Sequence, residues 1–381
     1  MILTQCAVCA TELGLSLGKK CGRCSTRYCG ADCQKQHWER GHDKLCKKIK
    51  KAGGAEQFHA NQKYTEAVAV AAEECAEDTK GQTCYICTQA VHWKTKEGLV
   101  RGCACRGTAG VVHVSCLAEQ AKILLDEAEE NNLDSKVKVE RFARWQTCSL
   151  CEQKYHGVVQ CALAWACWKT YLGRPETDPV LAHAMQCLGN GLSAAKRHEE
   201  AFPVREAQLA YCRRLGATED VILCVQGNLA EAYRCSGREQ HALRILQDVY
   251  SGELKLYGAQ HKQTLTSANN YAATLVRLER FKEARSLLRK TIPAARRELG
   301  ENNAHTLKMR RVYAAALYMD DDATLDDLRE AVTTLEDAEP TARRVLGGAH
   351  PLTTGIERCL RNARDVLEAR EAGHQVLFSR A

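Results

Sequence analysis

Seven cysteines and His42 fall within the first 46 residues in an order that a two-metal module explains: Cys6/Cys9, Cys21/Cys24, Cys29/Cys33 and His42/Cys46. The residues between them are largely Gly, Lys, Arg, Ser and Thr, too polar and too few to enclose a hydrophobic core. A domain this small needs a metal, disulfides or a partner to fold. Zinc held by four side chains supplies roughly 10–16 kcal/mol, and that free energy is folding free energy. Close C-x2-C pairs let both sulfurs reach one tetrahedral ion at ~2.3 Å. His37 competes with His42 as the eighth ligand; His42 is favoured because, four residues before Cys46, it lies on the same helical face as that cysteine.

With eight ligands the two ions are usually shared by interleaving. That arrangement groups Cys6, Cys9, Cys29 and Cys33 on one ion and Cys21, Cys24, His42 and Cys46 on the other. The run CGRCSTRYCGADCQKQHWERGHDKLC closely resembles the MYND zinc finger, including the Tyr before the fifth ligand and the Gln after the sixth. The resemblance implies a protein-interaction module that accepts short, often proline-containing peptides.

A second set of eight follows: Cys84/Cys87, Cys103/Cys105, His113/Cys116 and, after 31 residues, Cys148/Cys151. The ligand order, four cysteines, a histidine and three cysteines, is shared by PHD fingers and RING-CH domains. Seven residues (106–112) separate the fourth cysteine from the histidine, and the second pair is C-x-C; both features match RING-CH. GCACRGTAGVVHVSCL is very similar to the centre of that domain. Interleaving again gives Cys84, Cys87, His113, Cys116 and then Cys103, Cys105, Cys148, Cys151. All four ions are then saturated by protein ligands, which leaves no open position for hydrolytic chemistry and makes the zinc structural. The resemblance implies a domain that recruits a ubiquitin-conjugating enzyme and favours its reactive geometry, with no nucleophile and no catalytic residue of its own. Ile86, inside the first ligand pair, matches the family's usual apolar contact, and Leu150 holds the equivalent point of the last pair. The family's Trp shortly after the sixth ligand is missing, because Ala118, Glu119 and Gln120 follow Leu117. Trp145 is the candidate substitute, with a core anchor as its alternative role.

The chain has 22 cysteines, and the eight outside these sets are scattered at mostly apolar helical positions. The N-terminus lacks a basic leader and already holds ligands, so a disulfide-bonded secreted fold is not expected. The most apolar window, 158–172, contains Gln160 and Lys169 and reads as a buried helix rather than a membrane span. A soluble protein of a reducing compartment, cytoplasmic or nuclear, is the expectation. The net charge of +7 resides entirely in residues 1–51, which hold eleven Lys/Arg and four Asp/Glu. Thiolate ligation of four zinc ions removes about six charges, so the loaded chain is nearly neutral. The tract Lys47, Lys48, Lys50, Lys51 reads as a solvated helix end, and no nucleic-acid partner is expected.

From about residue 181 the sequence repeats. Gly216, Gly258 and Gly300 recur every 42 residues and Gly347 follows 47 later, with the extra residues near Asp320, Asp321 and Asp322. Asn228/Asn270, Ala230/Ala272 and Thr264/Thr306 keep the same step. Such a period describes helix hairpins stacked into a solenoid. Thr264 and Thr306 are read as helix N-caps, and His261 and His350 as capping or packing residues. The units GNLAEAYRCSGREQHALRI and ANNYAATLVRLERFKEARSLL resemble tetratricopeptide (TPR) repeats of the kinesin-light-chain kind. The resemblance implies a concave groove in which Asn228 and Asn270 contact peptide backbone, or else bond between helices.

The expected fold class is therefore multidomain: two small cross-braced zinc modules, mostly irregular with minor α/β structure, followed by an all-α TPR superhelical solenoid. The expected boundaries are a MYND finger at 1–50, a helical linker at 51–80, a RING-CH finger at 81–156, a connecting helix at 157–180, repeats at 181–372 and a tail at 373–381. Trp165 and Trp168 are placed in that connecting helix as a cap on the repeats. The functional expectation is a zinc-binding ubiquitin ligase that recruits a conjugating enzyme through its RING-CH module. It selects client proteins or peptides through the TPR groove and MYND finger. The alternative is a non-catalytic adaptor built from the same modules. A SET-domain methyltransferase is set aside because no NHS-C-x-PN-like cofactor segment is present, and no nucleophilic triad, P-loop or dinucleotide fingerprint occurs.

Overall fold

The computed structural model describes residues 5–11, 13, 18–348 and 350–372; the expected tail at 373–381 lies outside the described residues. Two compact units divide between Ala217 and Thr218.

The first unit opens with a two-stranded antiparallel hairpin, β1 (Lys19–Lys20) and β2 (Arg27–Tyr28), with Lys19 opposite Tyr28. α1 (Ala31–His37) runs into a widened turn, Trp38–His42, and then α2 (Asp43–Lys51). Gly41 takes φ 104° in that turn, a conformation that favours glycine, and it rotates His42 inward. The core here is Cys6, Leu13, Cys21, Cys24, Tyr28, Cys46, Ile49 and Ala55, half of it thiols. Such a core cannot hold the fold by apolar burial alone.

α3 (Ala55–Glu74) buries one stripe, Ala60, Tyr64, Ala67, Val68 and Ala71, at helical spacing. A single turn, α4 (Ala76–Thr79), follows. The second zinc module then wraps around α5 (Val114–Glu130), α6 (Ser135–Phe142) and the short turn Ala143–Trp145, which together fill the long insertion. α7 (Gly157–Tyr171) is buried on nearly every side, as its apolar run requires, and α3 packs along it. A Cβ on Gly102 would lie 2.5 Å from that of Val159, so only glycine lets the second module approach α7 this closely. α8 (Pro179–Ala194), capped by Asp178 with Pro179 at its first position, packs on α7, and α9 (His198–Arg214) packs on α8. At Gly191 a Cβ would collide with Ala164 and meet the Gln160 carbonyl at 2.9 Å. These helices belong to the first compact unit, although the sequence period from about 181 groups them with the repeats. The reason is local: small residues on α7 and α8 bring those two helices into close contact.

The second unit is a run of antiparallel helices: α10 (Glu219–Cys235), α11 (Glu239–Tyr257), α12 (Lys262–Arg277), α13 (Phe281–Leu299), α14 (Ala304–Tyr318), α15 (Leu325–Leu346) and α16 (Pro351–Glu371). Each packs on its sequence neighbour, and even-numbered helices meet their next even neighbour from α12 onward, the pattern of stacked hairpins. Gly258, Gly300 and Gly347 end α11, α13 and α15 at φ 84–89°. The expected N-caps are corrected. His261, Asn303 and His350 hold the cap positions and accept from Gln263 N, His305 N and Leu352 N at 3.2, 2.8 and 3.1 Å. Thr264 and Thr306 lie one turn inside and are buried. Each donates its hydroxyl to a carbonyl of the preceding helix, Glu253 O and Ala295 O, at 3.3 Å. They pin consecutive helices together instead of starting one. The extra residues of the fourth copy form the 319–324 connection, where Asp320 binds Arg285 at 2.9 Å and Thr324 and Asp327 form a capping box.

Candidate metal centres and partner surfaces

The hairpin and α1–α2 bring Cys6, Cys9, Cys29 and Cys33 together, and separately Cys21, Cys24, His42 and Cys46. In the second module Cys84, Cys87, His113 and Cys116 form a third group, and Cys103, Cys105, Cys148 and Cys151 a fourth. Within each group every ligand atom lies within 4.8 Å of the others.

The donor sets fit zinc by size. A tetrahedron with Zn–S of ~2.3 Å has S–S edges of about 3.8 Å and S–N edges of roughly 3.6 Å. Cys21–Cys46 and Cys105–Cys148 sulfurs are 3.8 Å apart, Cys9–Cys33 3.7 Å, and Cys9–Cys29 3.5 Å. His42 Nε2 lies 3.4 Å from Cys24 Sγ, and His113 Nδ1 3.3 Å from Cys87 Sγ. Electrostatics agree. Burial holds His42 and His113 below the ordinary imidazole range, which keeps both rings in the neutral, ligating form. The hydroxyl of Thr11, 3.0 Å away, draws the Cys9 thiol down to about 6, while the Cys33 thiol, hydrogen-bonded with Cys29 at 3.4 Å, is pushed up to about 12. Thiols packed this closely cannot all ionise beside one another, and a divalent cation removes that penalty.

His37 is not in any group. Its Nδ1 pairs with the Tyr28 hydroxyl at 2.9 Å, and its ring lies 4.5 Å from that of His42. Tyr28 itself is fully buried behind the second group. That contact was not anticipated from sequence, although the Tyr one residue before Cys29 was its visible sign.

Around the third and fourth groups two loops match each other. Ile86 N donates to Cys84 Sγ and Leu150 N to Cys148 Sγ, both at 3.4 Å. Such backbone donors orient and stabilise thiolate ligands. The loops are tied side by side by Tyr85 Oη and Ser149 Oγ at 3.5 Å. Ile86 and Leu150, each next to one of those residues, are 38% and 52% exposed. Trp93, in the loop beyond the first pair, is 69% exposed and sequence reading passed over it.

Trp145 is corrected. It is fully buried and donates Nε1 to Tyr171 Oη at 3.2 Å, with the rings 5.7 Å apart. A partner has no surface to reach there, because the turn after α6 inserts the indole against α7; it is the core anchor of the last zinc loop. Trp165 and Trp168 are buried as well, Trp165 stacked on His59.

In the second unit Asn228 on α10 and Asn270 on α12 line one open groove of about 730 Å3, with Asn228 half-buried and Asn270 exposed. Lys262 and Lys308 stand on the same groove, and Glu253, buried and bonded to Ser267, forms part of its floor. The lysines carry no repeat signature and were not legible as groove residues. Among the described residues no helix is long and apolar enough to cross a membrane.

Comparison with known families agrees with this architecture. The MYND finger matches residues 6–46, the RING-variant domain residues 84–151 and the tetratricopeptide repeat residues 264–305. The chain thus carries two zinc-finger domains and a TPR-like helical region. Among solved structures it is similar to the nearly identical TPR-like repeats of a kinesin light chain from Podosopora anserina, at 19% identity over 61% of this chain and 97% of that one, with a TM-score of 0.41. BtubC (BKLC) from P. vanneervenii is similar at 14% identity over 70% and 96%, with a TM-score of 0.38. No curated protein matches the chain.

Proposed function

We propose that this protein is a RING-CH-type ubiquitin ligase whose four Cys/His groups each hold a structural zinc ion. The reading is supported by one observation: two matched loops, tied through Tyr85 and Ser149, leave the neighbouring Ile86 and Leu150 exposed, on a scaffold that bound metal would make rigid. Bound zinc would crosslink the chain, and its saturated coordination assigns it no reagent role. A shallow apolar contact of this kind suits a ubiquitin-conjugating enzyme. Holding that enzyme with its ubiquitin thioester oriented toward an acceptor amine is catalysis by positioning and requires no nucleophile from this chain. Client proteins or peptides bind the Asn228/Asn270 groove and the MYND finger.

The test is in vitro autoubiquitination by the zinc-loaded full chain across a panel of conjugating enzymes. Wild type forms conjugates, Ile86→Ala reduces them about tenfold or more, and His113→Ala abolishes them. Absence of conjugates with every conjugating enzyme refutes the ligase reading. The second reading, a non-catalytic adaptor, is favoured by one finding: α5 carries Ala118, Glu119 and Gln120 where the family has its aromatic contact, and Trp145 is buried elsewhere.

A further inference from the structure

α2 carries five lysines, Lys44, Lys47, Lys48, Lys50 and Lys51, against one acid, Asp43. All five are exposed, and among the described residues none is paired with a carboxylate. The helix dipole favours the three in the last turn, Lys48, Lys50 and Lys51, but does not account for the whole row. Cations near a C-terminus complement the helix dipole, but Lys44 lies in the first turn, where the dipole opposes it. Lys44/Lys47, Lys44/Lys48, Lys47/Lys50, Lys47/Lys51 and Lys48/Lys51 are like-charge neighbours, each costing about 0.2–0.5 kcal/mol. The helix is therefore less stable than its length and its buried Cys46 and Ile49 would allow.

Beside this row lies an open groove of about 800 Å3 between α2 and α3. Lys48 and Lys51 form one wall, Phe58, Ala52 and Ala69 give it an apolar floor, and Gln62 and Thr65 stand on the other side. Phe58, Gln62, Thr65 and Ala69 repeat at i, i+4, i+7 and i+11, so α3 offers them on a single face. Phe58 rests its inner side on the core of the first zinc module, which fixes the floor. The acid in the groove, Glu66, is paired with Lys63 at 3.2 Å. The groove is thus cationic on one wall and apolar below.

We infer that this groove docks an acidic segment of a partner protein, with carboxylates on the α2 lysines and an apolar side chain on Phe58, Ala52 and Ala69. The nine residues of α2 span about 13 Å, the length of roughly four residues of extended peptide. Nucleic acid fits less well, because the cationic row is confined to one short helix and can meet few phosphates. The surface is separate from Ile86 and Leu150 and stands whether or not the chain transfers ubiquitin.

The experiment uses the zinc-loaded full chain and fluorescent synthetic peptides that share two leucines and differ only in their number of Glu/Asp or Lys/Arg residues. Anisotropy is expected to show binding that tightens with each negative charge and weakens with salt. Lys48→Glu/Lys51→Glu weakens the acidic peptide about tenfold or more, whereas Lys94→Glu, an exposed lysine outside the groove lining, leaves it unchanged. Replacing the peptide leucines by serine, which leaves the protein untouched, also weakens binding. The inference is overturned by any of four results: no preference for acidic peptides, equal loss with Lys94→Glu, indifference to the leucines, or equally tight binding of a single-stranded oligonucleotide.

Discussion

At the residue scale the choice between two histidines is the sharpest case. His37 and His42 are five residues apart, and their rings lie 4.5 Å from each other, yet only His42 joins a thiol group. Gly41 decides it by turning the chain before α2 begins. Replacing His42 by Ala is expected to remove one zinc equivalent per chain, read by native mass spectrometry. His37→Ala keeps the metal and loses only the bond to Tyr28, a cost of about 1 kcal/mol. Metal loss in the His37 variant with retention in the His42 variant would reverse the assignment. That His42 could reach Cys46 was legible in the sequence, because an H-x3-C pair has fixed reach on one helical turn, although Cys33 and His37 share that spacing. The fate of Trp145 was not. An indole flanked by Arg144 and Gln146 gives no local sign of which side it faces, and only the packing of α7 settles that.

At the element scale the helices follow their sequence, but their joints are set by small residues. Gly191 and Gly227 both sit within helices, and nothing local separates them. A side chain at Gly191 meets α7, whereas at Gly227 it meets open space. Gly191→Ala is therefore expected to destabilise the first unit by about 1–3 kcal/mol, and Gly227→Ala to stabilise the second by up to about 1 kcal/mol. Chemical denaturation followed by circular dichroism checks both, and a stabilising Gly191→Ala would contradict the close α7–α8 contact. The threonines teach the same lesson. Their 42-residue step was visible, but a cap and a buried inter-helix bond look alike in sequence, and the role depends on where the preceding helix ends.

At the scale of the whole molecule the two units rest on different physics. The second is held by a continuous apolar core from α12 to α16. The first zinc module has little more than its ligands. Adding a chelator is therefore expected to release amide protection, measured by hydrogen exchange, across residues 18–51 and 84–156 while α12–α16 stay protected. Protection of the zinc modules that survives chelation would refute a structural role for the metal.

What the sequence determined by itself is whatever depends on short covalent spans: the ligand pairs, the helical period and the glycine ends of the repeats, whereas the interleaving of the four groups was expected from the usual pattern of eight-ligand modules. A few residues of chain limit how far two side chains can separate, so spacing alone predicts their meeting. Tertiary structure alone decided what covalent reach leaves open. It joined α8 and α9 to the zinc-bearing unit, set the Ile86 and Leu150 loops side by side, and opened a groove between α2 and α3. Those outcomes come from side-chain packing between whole faces of elements, near or far in sequence, where one methyl group more or less changes which faces can meet.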